Sequence, residues 1–165
     1  VIERVRAARP DIAISGDFIV GFPGETDSEF EDTLSIVRET RYAQAYSFKF
    51  SARPGTPAAT MDGQIESHVA DERLQRLQAV INEQQLAFNQ ASIGKRTDIL
   101  LERTGRHPGQ LIGKTPWLQS VHVQAENATI GDLIAVDLVS AGPNSIAGQI
   151  ALQQDQDDRE LKHVA

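Results

Sequence analysis

The sequence contains no cysteine among its 165 residues. That absence excludes a disulfide, a thiolate nucleophile, a zinc-thiolate site and any iron-sulfur cluster held by the chain's own side chains. Aromatic residues are scarce, at 5%, with one Trp and two Tyr. No apolar run is long enough to cross a bilayer, and the start lacks a signal-peptide pattern. No membrane partner is therefore expected, and the cytoplasm is the expected compartment. Acidic residues outnumber basic ones, 23 to 16, for a formal net charge of -7. The chain as a whole has no basic footprint for nucleic acid, although a local basic face is compatible with that balance. What is there, 40% hydrophobic and 24% charged, belongs to a globular chain. Its length suits one ordinary domain, or a small domain plus a fragment. It opens at Val1, inside what reads as the end of a helix, and is expected to be a piece of a longer protein.

Pro10 should end that first helix. Residues Ile12 to Phe22 are strongly apolar and suit a buried strand of a parallel sheet. A Pro-Gly-Glu-Thr turn follows, and Thr26 with Glu29 forms a capping box for the next helix. Phe30, Leu34 and Val37 make one apolar stripe on that helix, which should end near Tyr42. Tyr46 to Phe50 reads as the next strand and Ala52 to Thr60 as a rigid proline-glycine loop. Strand, helix, strand is the repeating unit of an α/β layer, and two such strands alone would leave bare edges and an uncovered apolar face. Further strands, from a missing N-terminal part of the same polypeptide, are therefore expected.

From Ile65 to Ala91 the pattern predicts a long helix. Val69, Leu74, Leu77, Ile81 and Phe88 mark its buried side, with Arg73, Arg76 and Glu83 more exposed. After Gly94 come five short β-prone runs: Thr97 to Leu101, Gln110 to Lys114, Ser120 to Gln124, Leu133 to Val139 and Ser145 to Ile150. Gly, Pro and Asn separate them, the signature of a small antiparallel barrel or sandwich. The expected organisation is thus an α/β segment over 1–64, a connecting helix over 65–91, a barrel over 92–151 and a polar tail over 152–165.

Several residues invite functional and structural readings alike. Gly21 to Glu25 lie at the C-terminal end of the first strand, the edge where α/β folds collect ligands. The same turn needs Gly and Pro for geometry alone, and it matches neither the dinucleotide fingerprint nor the P-loop. Arg53 follows the second strand and suits a carboxylate or phosphate clamp, or an ion pair with a helix acid. Lys49 and Ser51 are weaker candidates, and Asp17 within the apolar strand must be hydrogen-bonded or exposed. The four histidines match no metal-ligand spacing. In the barrel, Arg96, Arg103, Arg106, His107, Lys114 and Trp117 offer the cation-and-aromatic mix that suits RNA. Five acids (Asp98, Glu102, Glu126, Asp132 and Asp137) offset the five basic side chains of that set.

Four segments in order resemble one family. Asp17 to Leu34 (DFIVGFPGETDSEFEDTL) resembles the signature of radical-SAM methylthiotransferases, and Ser51 to Ala59 (SARPGTPAA) resembles their next loop. Glu72 to Lys95 is similar to their helix into a C-terminal TRAM domain, a small OB-like β-barrel that binds RNA. Gly131 to Gln149, with Pro-Asn-Ser at 143–145, is similar to that barrel's closing strands. The resemblance implies an α/β fold, the end of a radical-SAM partial (β/α) barrel followed by a TRAM barrel. The SARPGTPAA loop and the Pro-Asn-Ser segment are more like the subclass that adds a methylthio group to carbon 2 of isopentenyl-adenosine beside the tRNA anticodon. The alternatives are the subclass that modifies a ribosomal-protein aspartate, a stand-alone RNA-binding module, or an unrelated α/β scaffold.

The family's chemistry implies SAM and two 4Fe-4S clusters, a reductant protein, and the tRNA anticodon arm as partner. One cluster would cleave SAM to a deoxyadenosyl radical; the auxiliary cluster would carry the sulfur, and a second SAM would supply the methyl group. None of the cluster cysteines is present, so the chain alone is expected to bind no cofactor and to be inactive. By the same resemblance Ile19, Gly21 and Gly24 would line SAM, and Ser51 and Arg53 would face the mouth of the site. The RNA set would be Arg96, Arg103, Arg106, Lys114 and Trp117. Glu25 stands one residue beyond the general radical-SAM position for an acid. Gly16 stands where relatives usually carry Ser or Thr, and Phe50 where Tyr is common.

Overall fold

The computed structural model describes residues 1–151; the expected polar tail at 152–165 lies outside the described residues. The chain opens with α1 (Ile2–Ala8), followed by β1 (Ser15–Val20), α2 (Asp27–Thr40) and β2 (Gln44–Lys49). β1 and β2 pair in parallel, from Ser15 opposite Gln44 to Val20 opposite Lys49. A short 3-10 helix at Pro57–Thr60 leads to α3 (Ser67–Gln90), which crosses back over the sheet. Five strands then close a barrel: β3 (Arg96–Thr104), β4 (Gln110–Lys114), β5 (Ser120–Gln124), β6 (Leu133–Ala141) and β7 (Ile146–Ile150). Four of its seams are antiparallel, whereas β5 and β7 run parallel over Val121–Ile146 and His122–Ala147.

α2 starts where local chemistry dictates. The Thr26 hydroxyl accepts from the Glu29 N–H at 3.3 Å, and the Glu29 carboxylate accepts from the Thr26 N–H at 2.8 Å. The Glu29 carboxyl is held below its ordinary value, first by the Thr26 backbone N–H and then by the Thr26 hydroxyl. The cap is therefore complete above the ordinary carboxylate range and weakens as pH falls through the lowered value. Thr26→Ala removes the acceptor and is expected to lower stability by about 1 kcal/mol in urea unfolding.

Two separate cores follow from the two periodicities. Phe30, Leu34 and Val37 on α2 meet Val20 on β1 and Leu77 and Ile81 on α3, all buried. In the barrel Ile99, Leu101, Val121, Val123, Val136, Leu138 and Ile146 fill the interior, the inward half of strands that alternate in and out.

The first strand departs from its expected form. It is shorter than the apolar run at both ends, and helices cover only one of its faces. Asp17 and Ile19 on β1, with Tyr46 and Phe48 on β2, share the other, exposed face. The charged residues of α3 depart as well: Arg73, expected toward solvent, is 5% exposed, while Val69, Leu74 and Phe88 are only half-buried. No described helix is long and apolar enough to cross a membrane.

Candidate cofactor edge and nucleic-acid groove

Because β1 and β2 are parallel, their C-terminal ends share one edge of the sheet. The Gly21–Glu25 turn leaves β1 there, and Phe50, Ser51 and Arg53 leave β2. The Phe50 N–H donates to the Val20 carbonyl at 2.8 Å, and the Phe22 and Phe50 rings meet edge to face at 5.1 Å. Ile19 projects from the open face just below this edge, 59% exposed. Ser51 and Arg53 are both exposed, and among the described residues the Arg53 side chain has no ion-pair partner.

The two glycines have structural reasons of their own. Gly21 has φ +73, and a Cβ on it would stand 2.8 Å from the Ala70 Cβ on α3. The turn thus presses on the helix, and only glycine fits between. Gly24 has φ +85, with open space where a Cβ would be and its N–H donating to the Gly63 carbonyl at 2.9 Å. The space beside Gly24 leaves its backbone approachable.

Glu25 and Arg73 lock this turn to α3. The Glu25 carboxylate accepts from the Gly21 N–H at 2.7 Å and from Arg73 Nη1 at 2.7 Å. Nη1 also donates to the Glu25 carbonyl at 3.0 Å, and Nη2 donates to Asp27 at 2.6 Å. Burial works against the Arg73 charge, yet the hydrogen bonds to Asp27 and Glu25, with their charges, hold its pKa above the ordinary arginine value. The Glu25 carboxylate is thus committed to the fold. Lys49 is committed too, to Asp71 on α3. Sequence periodicity had no means of finding Arg73, since its partner lies 48 residues away.

On the barrel, cross-strand register sets Arg103, Ile112 and His122 side by side on the outer face of β3, β4 and β5. With Arg106, His107 and Asn144 they line a groove of about 580 Å³ in which none of the described lining residues is acidic. Of the expected RNA residues, Arg103 and Arg106 come together here. Lys114 and Trp117 line a neighbouring recess that shares Ser120 and Asn144 with the groove. The Lys114 ammonium donates to the Ser120 hydroxyl at 2.8 Å and to the Leu118 carbonyl at 3.2 Å. Arg96 does not line the groove; its guanidinium makes a two-pronged pair with Asp137 across the β3–β6 seam, at 2.7 and 2.9 Å. His122 and Asn144 were missed as site residues. The parallel β5–β7 seam that brings the 143–145 turn beside His122 has no local sequence signal.

An α/β layer with an approachable strand edge is joined by one helix to a barrel with a cationic groove. No family model matches the chain. Curated proteins named tRNA-2-methylthio-N(6)-dimethylallyladenosine synthase do match it. That from Novosphingobium aromaticivorans is 66% identical over 151 residues, which is 92% of this chain and 34% of the relative. Those from Erythrobacter litoralis and Sphingopyxis alaskensis are 67% and 68% identical, over 91% and 90% of the chain and 33% and 34% of the relatives. The chain corresponds to a C-terminal part of these synthases, spanning about a third of their length.

Proposed function

We propose that this chain is the RNA-holding and cofactor-lining part of a tRNA methylthiotransferase that adds a methylthio group to carbon 2 of isopentenyl-adenosine beside the anticodon. The observation that carries the reading is the acid-free groove of Arg103, Arg106, His107 and His122, in a chain two-thirds identical to synthases named for that tRNA product. In this division residues 92–151 hold the anticodon arm, 65–91 connect, and 1–64 contribute to the SAM site. The reaction belongs to the cytoplasm, where tRNA is modified.

At the strand edge the residues fit SAM. Ile19 offers an exposed apolar side chain to an adenine, the approachable backbone at Gly24 gives a flat floor, and Arg53 and Ser51 suit a carboxylate at the mouth. SAM when bound supplies the methyl group and, with 4Fe-4S clusters and a reductant protein, the radical chemistry. With no cysteine, this chain offers no thiolate to either cluster, and ligation falls to residues outside it. Its own residues bind and orient.

The test is binding of an anticodon stem-loop RNA carrying isopentenyl-adenosine, followed by fluorescence anisotropy at low salt. Arg103→Glu with Arg106→Glu is expected to weaken binding about 100-fold and to reduce the salt slope by about 2, the signature of two lost phosphate contacts. Arg96→Ala, whose fork Asp137 already occupies, is expected to change affinity less than about threefold. Unchanged affinity in the Arg103/Arg106 variant would overturn the assignment of the groove.

A further inference from the structure

Beyond the barrel groove, a second cleft of about 390 Å³ lies where α1, the end of α2, the end of α3 and the β4–β5 hairpin meet. Its walls include the aromatic Phe88 and Trp117 and the cations Arg6, Arg41 and Lys95; Asp11 is its one acid among the described residues. Asp11 stands 3.4 Å from Arg9 and so is offset already. Arg6 donates to the carbonyls of Thr40 and Arg41, the C-terminal end of α2, and covers the negative helix end that would otherwise repel an anion. Arg41 and Lys95 have no hydrogen-bond or ion-pair partner for their side chains among the described residues.

The cleft and the groove both adjoin one small recess. The recess between them shares Trp117 and Ala43 with the cleft, and Ser120 and Asn144 with the groove. A line of donors and one indole therefore runs from Arg103 and Arg106, past Lys114 and Trp117, to Lys95 and Arg41. The cleft lies at the low end of the size range of small-ligand pockets, enough for one base with its ribose and too small for a duplex. Cations and aromatic rings in one wall are the combination that holds single-stranded RNA, phosphate against charge and base against ring.

We propose that this junction cleft binds one unstacked nucleotide of an RNA strand leaving the barrel groove, with its base against Trp117 and its phosphate between Arg41 and Lys95. The inference rests on RNA being the ligand of the groove. It extends the RNA surface beyond the barrel, across α3, to the N-terminal edge of the parallel sheet.

Trp117 is the only tryptophan of the chain, so its emission reports on the cleft and the recess beside it and on no other part of the molecule. The chain is titrated with single-stranded hexa-adenylate at about 50 mM salt, with anisotropy of a labelled oligomer measured in parallel. The expected result is saturable quenching of Trp117 that tracks the anisotropy. In Arg41→Glu with Lys95→Glu the quenching disappears and affinity falls about tenfold, with an unchanged circular dichroism spectrum. Binding by anisotropy with constant Trp117 emission, or with full affinity in that variant, overturns the junction site and leaves the groove intact. No binding by the unaltered chain overturns the RNA reading and this inference with it. Emission that changes with protein concentration in the absence of RNA would mean a second copy occupies the cleft, and also overturns the proposal.

Discussion

Replacing Arg73 with alanine is expected to cost about 3–5 kcal/mol in urea unfolding, because it strands a buried carboxylate. The side chains of Arg73 and Glu25 are only 6% and 11% exposed, so neither charge regains water when its partner is lost. Glu25 would keep the Gly21 N–H and lose its only cation among the described residues. The second ion pair of Arg73 matters far less. Asp27 is 96% exposed, and pairs so well solvated contribute at most about 1 kcal/mol. The guanidinium also lies 5.6 Å from the centre of the buried Phe30 ring, so truncation removes packing along with charge. Combining Arg73→Met with Glu25→Gln removes both charges while filling most of the volume, and should recover more than half of the loss. A loss below about 1 kcal/mol for Arg73→Ala would show that water reaches Glu25.

Leu101→Ala is expected to lower barrel stability by about 2–5 kcal/mol, the range for deleting a buried leucine from a closed core. Leu101 is 1% exposed, among Ile99, Val121, Val136 and Leu138. Its backbone is held on both sides: its N–H donates to Asp132 at 2.9 Å, and its carbonyl accepts from Gly131 at 2.8 Å. The wall cannot collapse inward to fill the space without breaking that anchor. Trp117, on the β4–β5 hairpin, reports the transition in denaturant; a midpoint unchanged from the parent would show that the barrel repacks freely.

What the sequence made legible was whatever depends on near neighbours. Thr26 and Glu29 lie three residues apart, and the capping box forms as expected. The β-prone runs Gln110 to Lys114 and Ser120 to Gln124, set off by Gly, Pro and Asn, are strands at the expected limits. What escaped depends on contacts between distant segments. Helical periodicity assigns arginine to solvent, so Arg73 passed as a surface residue until β1 and α3 came together. Arg96 reads as a free cation until the β3–β6 register sets it opposite Asp137. The run from Ile12 to Phe22 is apolar enough for a strand covered on both faces, yet hydrophobicity alone carries no information about how many neighbours the sheet has. The groove was half legible: Arg103 and Arg106 stood out by composition, and the β5–β7 seam that completes it did not.

The end of α3 is tied to the barrel by more than its linker. Gln119 Nε2 donates to Asn89 Oδ1 at 3.1 Å and to the Ser92 hydroxyl at 3.0 Å, with all three residues buried. Gly94 donates to the Leu138 carbonyl at 2.8 Å, and Lys95 accepts from the Leu138 N–H at 3.0 Å. Mechanically, this makes the joint a weld instead of a swivel. Turning the barrel about the helix would break hydrogen bonds where no water can replace them, so the helix and barrel respond to a load as one lever arm. A load applied at Trp117 is then delivered through α3 to Arg73, and from there to the Gly21–Glu25 turn at the far edge of the sheet.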